Sequence, residues 1–223
     1  MEFLFDSANL AVIEELTPLY PVAGVTTNPT IIKAEGRIQL YAHLRQIRRI
    51  IGPDRSLHVQ VLAQDAQGMV AEGHRLLEQV DDRVFVKIPT TEQGIRAMRL
   101  LKDEGIGVTA TAIYSKIQGM LAIAAGADYI APYVNRMENL GVDSSATIAS
   151  LAKSIERHGA ACKIVAASFK NVAQVTAALD AGAQAVTVPP ALLRAALAAP
   201  DVTAAVNAFT QDWYDTFGTV ELP

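Results

Sequence analysis

Cysteine, clustered basic residues and long apolar runs are scarce in this sequence. The single cysteine, Cys162, excludes an intramolecular disulfide and a four-cysteine metal site, so a reducing, cytoplasmic setting is expected. No run approaches the roughly 18 apolar residues of a transmembrane helix. Residues 1–6 lack the basic segment of a secretion signal. The sequence therefore predicts no association with a membrane.

Basic residues are fewer than acidic residues. Lys and Arg number 19 against 23 Asp and Glu, which gives a net charge of -4 at pH 7. Arg45, Arg48 and Arg49 lie close together, but at a spacing typical of the solvated face of a helix. Because non-specific nucleic-acid binding requires clustered Lys and Arg, nucleic acid is not an expected partner.

Apolar residues are plentiful, at 51% of the chain, and they follow a regular order. Short apolar runs alternate with amphipathic segments along the whole sequence. The predicted strands cover residues 2–5, 22–25, 57–62, 83–88, 107–112, 128–134, 163–167 and 185–188. The predicted helices cover residues 10–19, 38–51, 65–80, 92–103, 116–124, 145–157, 172–179 and 191–198. Strands that alternate with helices in this way predict βαβ units and a parallel sheet.

Eight such units predict an α/β fold, a single-domain (β/α)8 (TIM) barrel over residues 1–200. An open, doubly wound sheet is the alternative, although no Gly-x-Gly-x-x-Gly follows the first strand to bind a dinucleotide. Residues 201–223 are predicted to form an extra C-terminal helix and tail of the same domain. Its apolar stripe could cover its own barrel or reach a neighbouring subunit: Ala204, Ala205, Phe209, Trp213 and Phe217.

Lys87 is the unusual residue of the fourth predicted strand. It follows Val84, Phe85 and Val86, which favour a buried strand, and Pro89 then ends the run. A buried lysine has a lowered pKa, and its neutral amine attacks carbonyl groups. The strand by itself also allows a structural ion pair, or a side chain that reaches water.

Polar residues fall at the carboxyl ends of the other predicted strands, where a barrel of this kind builds its active site. They are Asp6, Thr27, Asn28, Gln60, Thr111, Tyr133, Arg136 and Ser168. Structural alternatives exist: Asp6 could cap a helix, Asn28 could form a turn, Tyr133 could be a packed aromatic residue, and Arg136 could form an exposed salt bridge. Arg136 and Ser168 together suit a phosphate group.

Metal-dependent and serine hydrolases are not expected. The four histidines lack metal-ligand spacing, and His58, alone in the third strand, is predicted to be a hydrogen-bonded interior residue. Ser168 lacks a Gly-x-Ser-x-Gly frame. Neither a metal nor a cofactor is predicted.

Four motifs in order resemble the transaldolase superfamily, in the short form typical of its fructose-6-phosphate aldolase subfamily. They are GVTTNPT at 24–30, VKIP at 86–89, APYVNR at 131–136 and AASFK at 166–170. The resemblance runs nearly from end to end and implies a metal-free (β/α)8 enzyme that makes or breaks a carbon–carbon bond of a ketose.

The resemblance also implies roles for individual residues. Lys87 matches the lysine that forms a Schiff base, Asp6 and Asn28 match residues that handle substrate hydroxyls, and Arg136 and Ser168 match the phosphate site. Transaldolases resemble one another in having glutamate and phenylalanine where this chain has Gln60 and Tyr133. That departure matches the aldolase subfamily, in which the tyrosine is the acid and base while Gln60 and Thr111 would hold a catalytic water.

The expected activity is cleavage of fructose 6-phosphate to dihydroxyacetone and glyceraldehyde 3-phosphate. A transaldolase of the pentose phosphate pathway and a non-catalytic sugar-phosphate-binding barrel are the alternatives. The tyrosine role requires a pKa below the usual value of about 10, which a cationic lysine or iminium beside Tyr133 is expected to provide. Relatives of the subfamily form pentamers and decamers, so a homo-oligomer is expected.

Overall fold

Eight parallel strands close into a barrel in the computed structural model, which describes residues 1–222. The strands are Glu2–Asp6, Val22–Thr26, Ser56–Gln60, Val84–Pro89, Val108–Ile113, Tyr129–Pro132, Lys163–Ala166 and Ala185–Val188, numbered β1 to β8. Each strand pairs with its neighbour in sequence, and β1 also pairs with β8, with Leu4 opposite Thr187. This closure confirms the predicted barrel and excludes the open sheet.

Eleven helices accompany the strands within residues 1–222. They are Leu10–Leu16, Pro29–Ala34, Leu40–Ile51, Ala66–Gln79, Glu92–Asp103, Lys116–Ala124, Val134–Asn139, Ser144–His158, Val172–Asp180, Pro190–Leu197 and Pro200–Phe217, numbered α1 to α11. Seven begin at a side chain that accepts a hydrogen bond from the first helical turn: Asn9, Asn28, Asp65, Thr91, Ser115, Asp143 and Asn171. Short polar side chains are the usual caps because they satisfy amides that the helix leaves unpaired.

Two six-residue helices, α2 and α7, correct the sequence prediction. The segment 128–134 was expected to be a strand, but β6 ends at Pro132 and Val134 begins α7. Tyr133 stands between them, forming a single bridge to Ala167. Helix α2 begins with Pro29, which suits the first helical position because it lacks an N–H group. Both helices start at the carboxyl ends of strands and so place residues at the rim of the barrel.

The core has two layers that follow from the alternation of side chains along each strand. On β4, Val84, Val86 and Ile88 pack outward against the helices, whereas Phe85 points inward. The inner cluster comprises Leu4, Tyr129, Ala131, Val165, Ala167 and Ala185. Each large apolar side chain buried in these layers contributes about 1.5–3 kcal/mol to folding.

His58 is the polar member of the barrel interior. It is fully buried and stacks on Phe85, with ring centroids 4.8 Å apart. Its Nδ1 lies 2.7 Å from the Thr109 hydroxyl and its Nε2 lies 2.9 Å from the Ser56 hydroxyl. These contacts confirm the predicted hydrogen-bonded interior residue.

Helix α11 leaves its apolar stripe uncovered. None of the residues within Pro200–Phe217 is buried, and Phe209 and Phe217 expose 69% and 59% of their surface. The helix therefore does not cover its own barrel. Pro223, the last residue of the predicted tail, lies outside the described residues. Within residues 1–222, no helix combines the length and apolarity that crossing a membrane would require.

Candidate active site

A cavity of about 390 Å³ opens at the carboxyl ends of the strands. Its lining residues are Asp6, Asn28, Pro29, Thr30, Ile31, Gln60, Lys87, Ala112, Tyr114, Tyr133, Arg136, Ala167, Ser168, Phe169, Lys170 and Pro189. A larger cavity of about 880 Å³ opens at the opposite end, lined by residues such as Glu2, Arg55 and Tyr129. The apolar interior of the barrel separates the two, and barrels of this fold place their chemistry at the carboxyl ends.

Lys87 forms the floor of the carboxyl-end cavity. Like Phe85, it points into the barrel, and it is 2% exposed. Its Nζ donates a hydrogen bond to the Thr27 carbonyl oxygen at 3.0 Å. Burial lowers the pKa of Lys87, and the negative charge of Asp6 acts in the opposite direction. The fraction of neutral, nucleophilic amine is thereby raised.

Local structure after β4 fixes the position of this lysine. Thr91 caps α5 through a bond from the Gly94 amide to its hydroxyl, and Gly94 lies against the Pro89 carbonyl. A β-carbon at residue 94 would stand 1.8 Å from that oxygen, so glycine is required for the close approach. The turn thus holds the carboxyl end of the strand that carries the amine.

Asp6 reaches the cavity from the carboxyl end of β1. Its Oδ1 accepts a hydrogen bond of 2.8 Å from the Thr26 hydroxyl, whose oxygen lies 2.6 Å from that of Thr187. Burial raises the pKa of Asp6, while the charge of Lys87 and the bond from Thr26 lower it. The carboxyl group is therefore held beside the amine by two neighbouring strands.

Tyr133 faces the same cavity from the end of β6. Its hydroxyl lies 3.0 Å from that of Thr111, and its ring packs edge-on against Tyr114 and under the Arg136 guanidinium. Burial raises the pKa of Tyr133, more than the Thr111 bond and the Arg136 charge lower it. The expectation of a lowered pKa was wrong for the free protein, because burial outweighs the Thr111 bond and the charge of Arg136.

A β-bulge on β5 turns two successive residues toward the site. The register with β6 shifts between Ala110 and Ile113, and Ala112 adopts a φ of 56°. As a result Thr111 contacts Tyr133 while Ala112 also lines the cavity. Bulges commonly redirect side chains beside active sites.

Cationic and hydroxyl groups cluster at one side of the cavity. Arg136 on α7, Ser168 after β7 and Lys170 all line it. The Arg136 Nη1 donates a hydrogen bond of 3.0 Å to the Tyr114 hydroxyl, which orients the guanidinium. Ser168 has a φ of 66°, a left-handed conformation that is uncommon outside glycine. This side of the cavity suits an anion with several acceptor oxygens.

Comparison with known proteins shows which family the chain belongs to. The sequence pattern of the transaldolase/fructose-6-phosphate aldolase family matches residues 3–220. The chain belongs to that family. It is 50% identical over 214 residues, 96% of each chain, to a probable fructose-6-phosphate aldolase of Streptococcus pneumoniae (strain ATCC 700669 / Spain 23F-1). The family motifs read from the sequence are therefore confirmed as a relationship that covers the whole barrel.

Membership of the transaldolase/fructose-6-phosphate aldolase family makes the positions of the remaining predicted residues informative. Asn28 both lines the cavity and caps α2, with its Oδ1 accepting from the Thr30 and Ile31 amides. Gln60 lines the cavity from the end of β3. Thr27 is fully buried, and its hydroxyl bonds to the His58 carbonyl, so its backbone rather than its side chain meets Lys87.

Three residues of the site were not singled out from the sequence. Tyr114 packs on Tyr133 and bonds to Arg136, Lys170 lines the cationic side of the cavity, and Thr187 stands behind Asp6. Lys170 follows Ser168 by two residues in a motif already recognised, which was a usable signal. Tyr114 directly follows β5, so its position at a strand end was a usable signal as well. Thr187 carried none, because threonine is an ordinary strand residue. Within residues 1–222, no group of three or more His, Cys, Asp or Glu side chains could hold a metal ion.

Proposed function

We propose that this protein is a class I aldolase that reversibly cleaves fructose 6-phosphate to dihydroxyacetone and glyceraldehyde 3-phosphate. The observation that carries the proposal is the buried Lys87 amine on the floor of the cavity, with a lowered pKa and with Asp6 and Tyr133 around it. Family membership and the similarity to a probable fructose-6-phosphate aldolase support the same reaction.

The first chemical step is the attack of the neutral Lys87 amine on C2 of the ketose. The carbinolamine that forms must lose its hydroxyl as water, which requires a proton. Because the pKa of Tyr133 is raised, the residue begins as a neutral phenol and is suited to give that proton. The products are a protonated imine on Lys87, one water molecule and a phenolate at Tyr133, so charge is conserved.

The phenolate then serves as the base for bond cleavage. The iminium draws electrons from the C3–C4 bond, the C4 hydroxyl gives its proton to Tyr133, and glyceraldehyde 3-phosphate leaves. The resulting enamine takes a proton at C3 from the Tyr133 phenol. Water then hydrolyses the new iminium, the phenolate recovers a proton, and dihydroxyacetone and the free amine are released. One phenol thus carries all the protons in turn.

The remaining residues hold the substrate. Arg136, Ser168 and Lys170 bind the phosphate, since Arg offers a planar fork of donors and the cavity side is cationic. Asp6, Asn28 and Thr27 orient the sugar hydroxyls, with Thr27 acting through its backbone. Gln60 and the Thr111–Tyr133 pair orient the water of hydrolysis, for which neutral donors and acceptors are suited.

Trapping with borohydride tests the imine. The protein is incubated with dihydroxyacetone and borohydride, and the modified peptide is located by mass spectrometry. We expect one adduct, on Lys87, and none on a Lys87→Met variant. Lys102→Met is the matched control, because Lys102 is paired with Asp128 away from the cavity. A wild-type protein without an adduct would instead indicate a non-catalytic sugar-phosphate-binding barrel.

A transaldolase is the second candidate, since the family includes both activities. In that case the enamine waits for an aldehyde acceptor and dihydroxyacetone is not released. Measuring dihydroxyacetone release and transfer to erythrose 4-phosphate in parallel separates the two. Release without an acceptor supports the aldolase, whereas transfer without release supports the transaldolase. Gln60 and Tyr133, which resemble the aldolase subfamily, favour release.

We also propose that the protein works in the cytoplasm as a homo-oligomer. The uncovered apolar stripe of α11 supports packing against a second copy. Light scattering tests this, and a monomeric mass at working concentration would contradict it. The single, unpaired Cys162 supports a reducing compartment.

A further inference from the structure

Thr187 is a fully enclosed threonine that the proposed reaction leaves without a role. It lies on β8, 1% exposed, and its side chain points into the barrel behind Asp6. The neighbouring Thr26 is also 1% exposed. A buried hydroxyl costs free energy unless it is hydrogen-bonded, so this pair of threonines calls for an explanation.

The direction of the hydrogen bonds follows from a count of protons. The Thr26 hydroxyl has one hydrogen, which it donates to the Asp6 carboxylate at 2.8 Å. The contact of 2.6 Å between Thr26 and Thr187 must then be a donation from Thr187 to Thr26. The three side chains form a chain that runs from β8 through β2 to β1 and ends on the carboxylate.

We propose that Thr187 is a positioning residue for the reaction: its hydroxyl, acting through Thr26, holds the Asp6 carboxylate in place beside Lys87. The inference rests on the proposed function, because it concerns the amine that forms the imine. Successive hydrogen bonds polarise one another, so the donation from Thr187 strengthens the bond that Thr26 makes to the carboxylate. Thr187 itself touches neither the cavity nor the substrate.

Substitution of Thr187 by valine breaks this chain with little change of shape. A methyl group cannot stay 2.6 Å from the Thr26 oxygen, since non-bonded atoms need about 3.5 Å, so the Thr26 hydroxyl must move and its bond to Asp6 weakens. A weaker bond favours the protonated form of Asp6. Lys87 then loses part of the negative charge that raises its pKa, and the pKa of Lys87 falls further.

Few charges other than that of Asp6 could shift the pKa of Lys87 in this way. The titratable groups at this level of the barrel are Asp6, Lys87, Tyr133 and His58, with Tyr114, Arg136 and Lys170 at the rim. Strands β2, β5 and β8 contain no titratable residue. Those of β6 and β7, Tyr129 and Lys163, contact Glu2 at the opposite end. His58 has a pKa lowered to about 3 and stays neutral at working pH. The charge that changes near Lys87 is therefore that of Asp6.

The test is the pH dependence of imine trapping. Dihydroxyacetone and cyanoborohydride are added to the full-length protein, and the rate of adduct formation on Lys87 is measured from about pH 6 to 10, the range through which a perturbed lysine titrates. The rate rises as the amine loses its proton. For Thr187→Val we expect the midpoint of this rise to move down by about half a pH unit or more.

Two further variants separate positioning from packing. Thr187→Ser keeps the hydroxyl and is expected to restore the wild-type midpoint. Thr147→Val is the matched control, because Thr147 is an equally buried threonine on α8 whose hydroxyl donates to the carbonyl of the capping residue Asp143. Its midpoint is expected to stay at the wild-type value.

The outcomes are distinct. If wild type forms the adduct and Thr187→Val has the same pH midpoint as wild type, the positioning role is overturned and the proposed function stands. This holds whether or not the trapping rate on the high-pH plateau falls. A midpoint that shifts equally in Thr187→Val and Thr187→Ser overturns it too, since the hydroxyl is then not the cause. Absence of any adduct on wild type overturns both proposals.

Discussion

The Tyr133→Phe variant is the most direct probe of the proposed chemistry. The ring packs against Tyr114 and lies under Arg136, so phenylalanine can keep the same position. What is lost is the hydroxyl to which the proposed mechanism assigns the proton transfers. Removal of such an acid and base lowers cleavage by about 10²- to 10⁴-fold.

The cost to stability is small by comparison and can be worked out from one contact. The Thr111 hydroxyl is fully buried and loses its bond of 3.0 Å to Tyr133. An unpaired buried hydroxyl costs about 1–3 kcal/mol. For a chain of this length, each kcal/mol lowers the melting temperature by about 2–4 °C. The variant is therefore expected to remain folded at assay temperature.

The assay couples the release of glyceraldehyde 3-phosphate from fructose 6-phosphate to a dehydrogenase. Tyr129→Phe is the matched control, since Tyr129 is a barrel tyrosine whose hydroxyl donates to Glu2 at the opposite end. We expect the control to cleave at nearly the wild-type rate. We expect Tyr133→Phe to cleave slowly but still to form the borohydride-trapped adduct on Lys87 by the end of the incubation. Cleavage by Tyr133→Phe within about threefold of wild type would refute the role of the phenol.

Three other predictions concern the phosphate, the fate of the enamine and stability in acid. Arg136→Met should raise KM for fructose 6-phosphate by about 10- to 150-fold through a lost charge-assisted bond, and leave KM for unphosphorylated dihydroxyacetone unchanged; equal effects on both substrates would contradict a phosphate role. Gln60→Glu, which restores the transaldolase-like residue, should raise the ratio of transfer to dihydroxyacetone release, and an unchanged ratio would remove Gln60 as the discriminator. Burial lowers the pKa of His58 to about 3, so between about pH 6.5 and 3 the unfolded chain takes up a proton that the folded chain does not. The contribution of His58 to the free energy of unfolding is therefore complete above about pH 6.5 and is lost as the pH falls toward 3. Urea titrations should show a loss of up to about 1.4 kcal/mol per pH unit in that window, with a shallower slope in His58→Gln; equal slopes would assign the acid sensitivity to other groups.

Much of the fold could be predicted because each strand is a short apolar run and most helices are long enough to show a period. The eight strands and the closed barrel were confirmed within a few residues at each end. Helices α2 and α7 were missed, because six residues do not span two turns and Asn28-Pro29 also signals a turn. Tyr133 then fell between elements, where pattern alone does not separate a strand end from a helix start.

The site was predictable as a set of residues and less so as a set of interactions. Position at a strand end sufficed to bring Asp6, Gln60, Lys87 and Tyr133 together. The direction of the Tyr133 pKa was not accessible, because it depends on how far burial outweighs nearby charges. The hydrogen bond from Lys87 to the Thr27 carbonyl was also out of reach, since it joins β4 to the end of β2 across the intervening β3.

The left-handed backbone at Ala112 and Ser168 bears on how this enzyme would respond to directed evolution. A non-glycine residue in that conformation gives up about 1 kcal/mol or more that glycine would recover. A library selected for heat resistance should therefore enrich glycine at both positions. At residue 112 this gain removes no polar group from the cavity, whereas at 168 it removes the hydroxyl of a residue that lines it. Selection for stability and selection for turnover would therefore favour different residues at position 168 but not at position 112.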